Sequence, residues 1–180
     1  MELLSAFGLS TSAGLNAYIP LLAISLMARY TSLLKLSEPY NLLTDPWIIA
    51  ILVFLILVEF FADKFPAVNH VNDLLQTAIR PIAGAIAFAA SANILTNVHP
   101  VLSLALGLIL AGSIHIAKSA VIRPMVTATT GGLGNIPVSF AEDFLSSFMS
   151  FIAIAAPILV IVVTLIVFVA AYALWKFFSR

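Results

Sequence analysis

The chain has 180 residues, 62% of them hydrophobic and only 9% charged, with a formal net charge of zero and a mean hydropathy of +1.14. A soluble domain carries about a quarter charged residues, so no soluble fold has room to hide this much apolar surface. The balanced charge and the lack of a basic block exclude nucleic acid as a partner, and the absence of cysteine excludes disulfides, thiolate metal sites and thiol nucleophiles.

The expected fold is therefore all-α: a polytopic transmembrane helical bundle of about five spans, each needing roughly 20 apolar residues. It forms a single domain over residues 1–180. Met1-Glu2-Leu3 lacks the basic start of a cleaved signal peptide, so the amino terminus reads as part of the mature bundle. The first span runs from about Leu3 to Ala28. The polar, flexible stretch Gly8 to Asn16, with Ser10-Thr11-Ser12 in its middle, and then Pro20 predict a broken or re-entrant helix. The second starts cleanly, with Asp45 as N-cap and Pro46 as first helical residue, and continues to Asp63. Residues Ala67 to Gln76 suggest a short interfacial helix.

The third span starts at Pro81 and runs to about Ile94, built from alanines, Gly84 and Ser91 that let neighbouring backbones approach closely. The fourth begins at Pro100 after His99 and leaves the membrane near His115, Lys118 and Arg123. The stretch Thr127 to Pro137 is uncharged, too polar for a span and too apolar for a solvated loop, so it is a second re-entrant candidate. The fifth follows Glu142-Asp143 to about Trp175, a length that requires tilt, protrusion or a kink at Pro157.

With five crossings, one membrane side collects Glu59, Asp63, Lys64, Arg80, Lys118, Arg123, Glu142 and Asp143. The other side holds Arg29, Lys35, Glu38, Asp45, Lys176 and Arg180. The eight lysines and arginines divide evenly, so the positive-inside rule leaves the orientation open. Lys118 and Arg123 near a helix C-terminus, and Glu142 and Asp143 at a helix N-terminus, have the signs that the macrodipole favours, which is a sufficient structural reason for them. Glu59 and Asp63 are different: they lie four apart near a C-terminus, where the dipole and each other's charge oppose them. A cation should meet them, and Arg80, Lys118 and Arg123 are the candidates, with Glu59 facing the bundle interior.

Thr11 to Pro20 and Thr129 to Pro137 align as two hydroxyls, a glycine-leucine pair, an asparagine and an isoleucine-proline, with one gap. Each could expose backbone N–H groups at a half-helix terminus, as transporters do at repeat interfaces. Gly14-Leu15-Asn16-Ala17-Tyr18-Ile19-Pro20, Glu59 to Pro66 with Ile79-Arg80-Pro81, and His115 to Lys118 through Gly131-Gly132 to Glu142-Asp143 resemble a family of small bacterial integral membrane proteins known as domain of unknown function 4126. The resemblance spans nearly the whole chain and implies a bacterial inner-membrane location. It implies no activity.

Enzyme chemistry finds little support in the residues. Lys118, Arg123-Pro124 and the glycines that follow faintly suggest a membrane lipid phosphatase, but no histidine follows His115 to act as nucleophile or general acid. Glu59, Asp63, His70 and Asp73 match no metal-ligand spacing, and neither a phosphate loop nor a serine-hydrolase signature occurs, so no metal and no cofactor is expected. The residues fit a transporter or channel for an ion or small solute. Its pathway would be lined by Ser10, Thr11, Ser12, Asn16, Asn93, Thr129, Thr130, Gly132 and Asn135. The charged gate or coupling set would be Glu59 and Arg80, with Asp63, Lys118, Arg123, Glu142 and Asp143 around them. Short helices enclose little volume, so a homodimer or higher oligomer is expected, with membrane lipid as the other partner. Lipid scrambling and a purely structural or assembly role are the alternatives.

Overall fold

The structure is a computed structural model that describes residues 2–62, 66–92, 99–166 and 169. The described residues form helices and no strand: α1 (Glu2–Leu15), α2 (Tyr18–Tyr30), a 3-10 turn at Tyr40–Thr44, α3 (Pro46–Ala62), α4 (Pro66–Ala92), α5 (Pro100–Ala117), α6 (Arg123–Thr130) and α7 (Asn135–Ala155). Two starts are where the capping residues predict them. Trp47 N donates to Asp45 Oδ1 at 2.8 Å ahead of α3, and Val101 N donates to His99 Nδ1 at 3.3 Å ahead of α5. Pro46 and Pro100 follow as first helical residues, where a missing N–H costs nothing.

Three helical segments are long and apolar enough to cross a membrane: Leu74–Ala92, Pro100–Thr130 and Asn135–Ala155. Tyr18–Tyr30 and Pro46–Ala62 are apolar but shorter. Three spans are thus shown by length and composition, beside shorter apolar helices, and several boundaries differ from those expected. α4 begins at Pro66 and carries Pro81 inside it, so the expected interfacial helix and third span are one element. α5 passes through a wide turn at Lys118–Ile122 into α6, giving 31 continuous residues, so the fourth helix does not end near Lys118. α7 begins at Asn135, about two turns before Glu142. The kink at Pro157 is a real break: α7 stops at Ala155, Ala156 leaves helical geometry, and residues 158–166 are helical again.

The first region has the expected break, at the far end of the Gly8–Asn16 stretch. α1 runs without interruption through Ser10-Thr11-Ser12, and the chain breaks only at Asn16-Ala17. α1 is antiparallel to α7, with Gly8 against Ala153, Ser12 against Ser146 and Ser150, and Asn16 against Asp143. α2 then turns back along the same helix: Ile19, Leu22 and Leu26 share a groove with Ser147, Ser150 and Phe151 of α7 and Ile56 of α3. Arg29, at the far end of α2, donates to the Thr44 carbonyl just before α3. α1 and α2 are therefore a helical hairpin whose tip is Asn16, rather than one broken span.

α1, α4 and α5 pack closest, because glycine and alanine remove the side chains that would hold them apart. A Cβ on Gly84 would lie 2.2 Å from Ala111 Cβ, and one on Gly107 would lie 2.3 Å from the Gly84 carbonyl. Ser10 Oγ donates to the Gly107 carbonyl at 2.9 Å across this contact. Ser12 Oγ lies 2.7 Å from the hydroxyls of Ser146 and Ser150, tying α1 to α7 with polar groups that are fully paired within the bundle. The ends of α1, α3 and α5, the start of α2, the middle of α4 and the third turn of α7 meet at one level near the hairpin tip.

Candidate functional site

The charged residues singled out from the sequence meet at that level. Glu59 lies in the last turn of α3, and its Oε1 accepts from Arg80 Nη2 at 2.7 Å, with the two side chains 1% and 0% exposed. The helix end that disfavours a carboxylate is thus offset by a guanidinium brought from α4. Arg80 Nη1 reaches toward His115 Nδ1 at 3.4 Å and the Gly14 carbonyl at 3.5 Å, long contacts that aim the planar fork. Arginine is only a donor, so His115 Nδ1 must accept and its proton is assigned to Nε2, which donates to Thr77 Oγ1 at 3.1 Å.

A second group lies beside the first. Glu142 Oε2 is 2.6 Å from Lys118 Nζ and 3.0 Å from Arg123 Nη2. Lys118 and Arg123 are five residues apart, which an α-helix would set about 140° around its axis from each other. The Arg123 amide instead donates to the Lys118 carbonyl, an i to i+5 bond that widens the turn and stacks such residues on one face. Pro124 supplies the cause, since its ring cannot donate to the Ala120 carbonyl and crowds it. Lys118 Nζ also donates to the Leu15 carbonyl at 3.0 Å, which satisfies one of the open carbonyls at the end of α1.

Asn16 joins the hairpin tip to the cluster. Its Oδ1 accepts from the amides of Tyr18 and Ile19 at 3.1 and 3.2 Å, capping α2, while Nδ2 donates to Asp143 Oδ1 at 3.0 Å. Lys118, Arg123, Glu142 and Asp143 were also consistent with interfacial positions at helix ends. The structure instead places them inside continuous helices, with Lys118, Arg123 and Glu142 buried, so neither a terminal dipole nor snorkelling accounts for them.

Other expected positions fall elsewhere. Ser10 and Ser12 bond between helices as above, and Thr11 is half-buried on α1. Thr129 and Thr130 are exposed, and their hydroxyls donate to the carbonyls of Met125 and Val126 in their own helix. Gly131 and Gly132 turn the chain at φ of 64° and 92°, values glycine tolerates, and Asn135 Nδ2 donates to Thr127 Oγ1. The second glycine segment thus closes a tight turn between α6 and α7 with its own polar groups. The first makes its break without positive φ, so the two aligned segments have different backbones. Asp63 and Asn93 lie outside the described residues.

Sequence reasoning missed His115, Thr77, Gln76 and Tyr18 as members of the site. Half-buried Tyr18 and buried Gln76 lie close to the Glu59–Arg80 pair. A signal existed: His115 and Lys118 are three apart, as are Thr77 and Arg80, so each pair shares a helix face.

A family model that matches almost the whole chain decides the family. The chain belongs to the family described as Domain of unknown function (DUF4126), which matches residues 3–177. No curated protein and no solved structure matches it. Membership of DUF4126 covers every helix described above and brings no activity, so function rests on the site.

Proposed function

We propose that the protein moves an ion or small solute across a membrane, with the Glu59–Arg80 pair and the Lys118–Arg123–Glu142 group as its charged gate. The observation that carries this reading is the burial of both groups inside apolar helices, at the tip of a half-length helical hairpin. Ionised groups among apolar helices are costly and mark ion or substrate paths by default, and discontinuous helices ending at such groups are how transporters build their sites. A bacterial inner membrane is the proposed location, because helices rather than closed barrels span such membranes. Exposed Phe54, Leu57, Val58 and Phe61 on α3 offer a face to lipid or to a second copy in a homodimer or higher oligomer.

The test uses the purified chain in vesicles, with flux measured for sodium, potassium, chloride and phosphate. At least one solute is expected to cross faster than in protein-free vesicles, and Glu59→Gln is expected to remove that excess. Flux indistinguishable from empty vesicles for all four, or flux undiminished in Glu59→Gln, would defeat the gate. One observation favours lipid scrambling as the second reading: a groove of about 330 Å³ between α2, α3 and α7, apolar but carrying Ser147 and Ser150. Redistribution of a labelled lipid without solute flux would select it.

A further inference from the structure

Two cations converge on a single oxygen at the cluster. Lys118 Nζ and Arg123 Nη2 lie 2.6 and 3.0 Å from the same Glu142 Oε2, with the lysine and arginine side chains 2% and 5% exposed and the glutamate 10%. The two bases are set by the wide turn before Pro124, and Lys118 is further anchored on the Leu15 carbonyl, whereas the acid comes from a separate helix, α7. The cationic half is thus built independently of the carboxylate that fills it. The start of α2, with the amides of Tyr18 and Ile19 held by Asn16, adds a positive dipole end on the Asp143 side.

We propose that Lys118 and Arg123 form a binding site for an oxyanion, a phosphate or carboxylate group, and that Glu142 is the protein's own anion occupying it at rest. This rests on the transport reading and names its substrate class. An incoming oxyanion can take the place of the Glu142 carboxylate on both bases, which a cation or neutral solute cannot do. Two sources supply this chemistry. One is a free anion; the other is the headgroup of a lipid whose tail lies in the α2–α3–α7 groove, which starts at Ser147, one turn above Asp143.

Full-length protein in an uncharged detergent is titrated calorimetrically with inorganic phosphate. In parallel it is reconstituted with phosphatidic acid and phosphatidylcholine, and the retained lipid is read by native mass spectrometry. Glu142→Gln removes the resident anion and is expected to bind at least one probe, inorganic phosphate or phosphatidic acid, about tenfold more tightly than the unaltered chain. Adding Lys118→Gln should abolish that gain. A gain for inorganic phosphate assigns the free anion, and a gain confined to phosphatidic acid assigns the headgroup. No gain for either probe, or a gain that survives Lys118→Gln, overturns the site. Should Glu142→Gln fail to fold, Glu142→Asp, whose shorter carboxylate holds the bases less well, takes its place with the same outcomes. The readout is equilibrium binding, so a failure to transport leaves this result standing on its own.

Discussion

Arg80 and Glu59 are each nearly inaccessible to solvent, and each offsets the other's buried charge. Removing either partner takes away half of a buried ion pair: Glu59→Gln or Arg80→Gln alone should destabilise the fold by about 3–5 kcal/mol. The double substitution should cost clearly less than the sum of the two, because the second change removes the charge that the first left unbalanced. Thermal or denaturant unfolding of all four proteins in one detergent measures this coupling, and additive losses would show that the pair is not an energetic unit. Lysine cannot replace Arg80 conservatively, since a single ammonium cannot bond Glu59 while also aiming toward His115 and the Gly14 carbonyl as the planar fork does.

Small residues determine how closely α4 and α5 approach, and that approach holds Arg80 against His115. Gly84→Ala and Gly107→Ala each place a methyl group within 2.2–2.3 Å of a neighbouring atom, a gap that only backbone movement can relieve. Each should lower stability by about 1–3 kcal/mol, the usual cost of overpacking. Gly112→Ala is the control, because its nearest new neighbour, Pro81 Cγ, lies at an ordinary 3.5 Å. Melting temperatures of the three variants test the point, and equal behaviour of Gly84→Ala and Gly112→Ala would contradict the close packing. The wide turn at Lys118–Ile122 acts at the same scale, since without it Lys118 and Arg123 would diverge and only one would reach Glu142.

The direction of the chain follows from the hairpin. α1 descends to Asn16 and α2 returns, so residue 2 and the loop after Tyr30 lie at one end of the bundle and the Gly131–Gly132 turn at the other. The native chain has no cysteine, so single replacements can be labelled without further engineering. Glu2→Cys and Leu33→Cys should react with an impermeant maleimide from one compartment, and Leu133→Cys from the opposite one. A single first span would instead put residues 2 and 133 on the same side, and finding them there would overturn the hairpin.

Composition alone made this a helical membrane bundle, because so few charges leave no other way to solvate so much apolar surface. Local capping chemistry placed the starts of α3 and α5, since Asp45-Pro46 and His99-Pro100 act through bonds a few residues long. The opposition of Glu59 to its helix dipole also predicted a cationic partner before any contact was visible. Which cation met it, the merging of residues 66–92 into one helix through Pro81, and the return of α2 along α7 depended on contacts between residues tens of positions apart. Periodicity along one helix carries no information about such contacts, because they are chosen by how closely glycine and alanine faces pack and by the need to pair every buried charge.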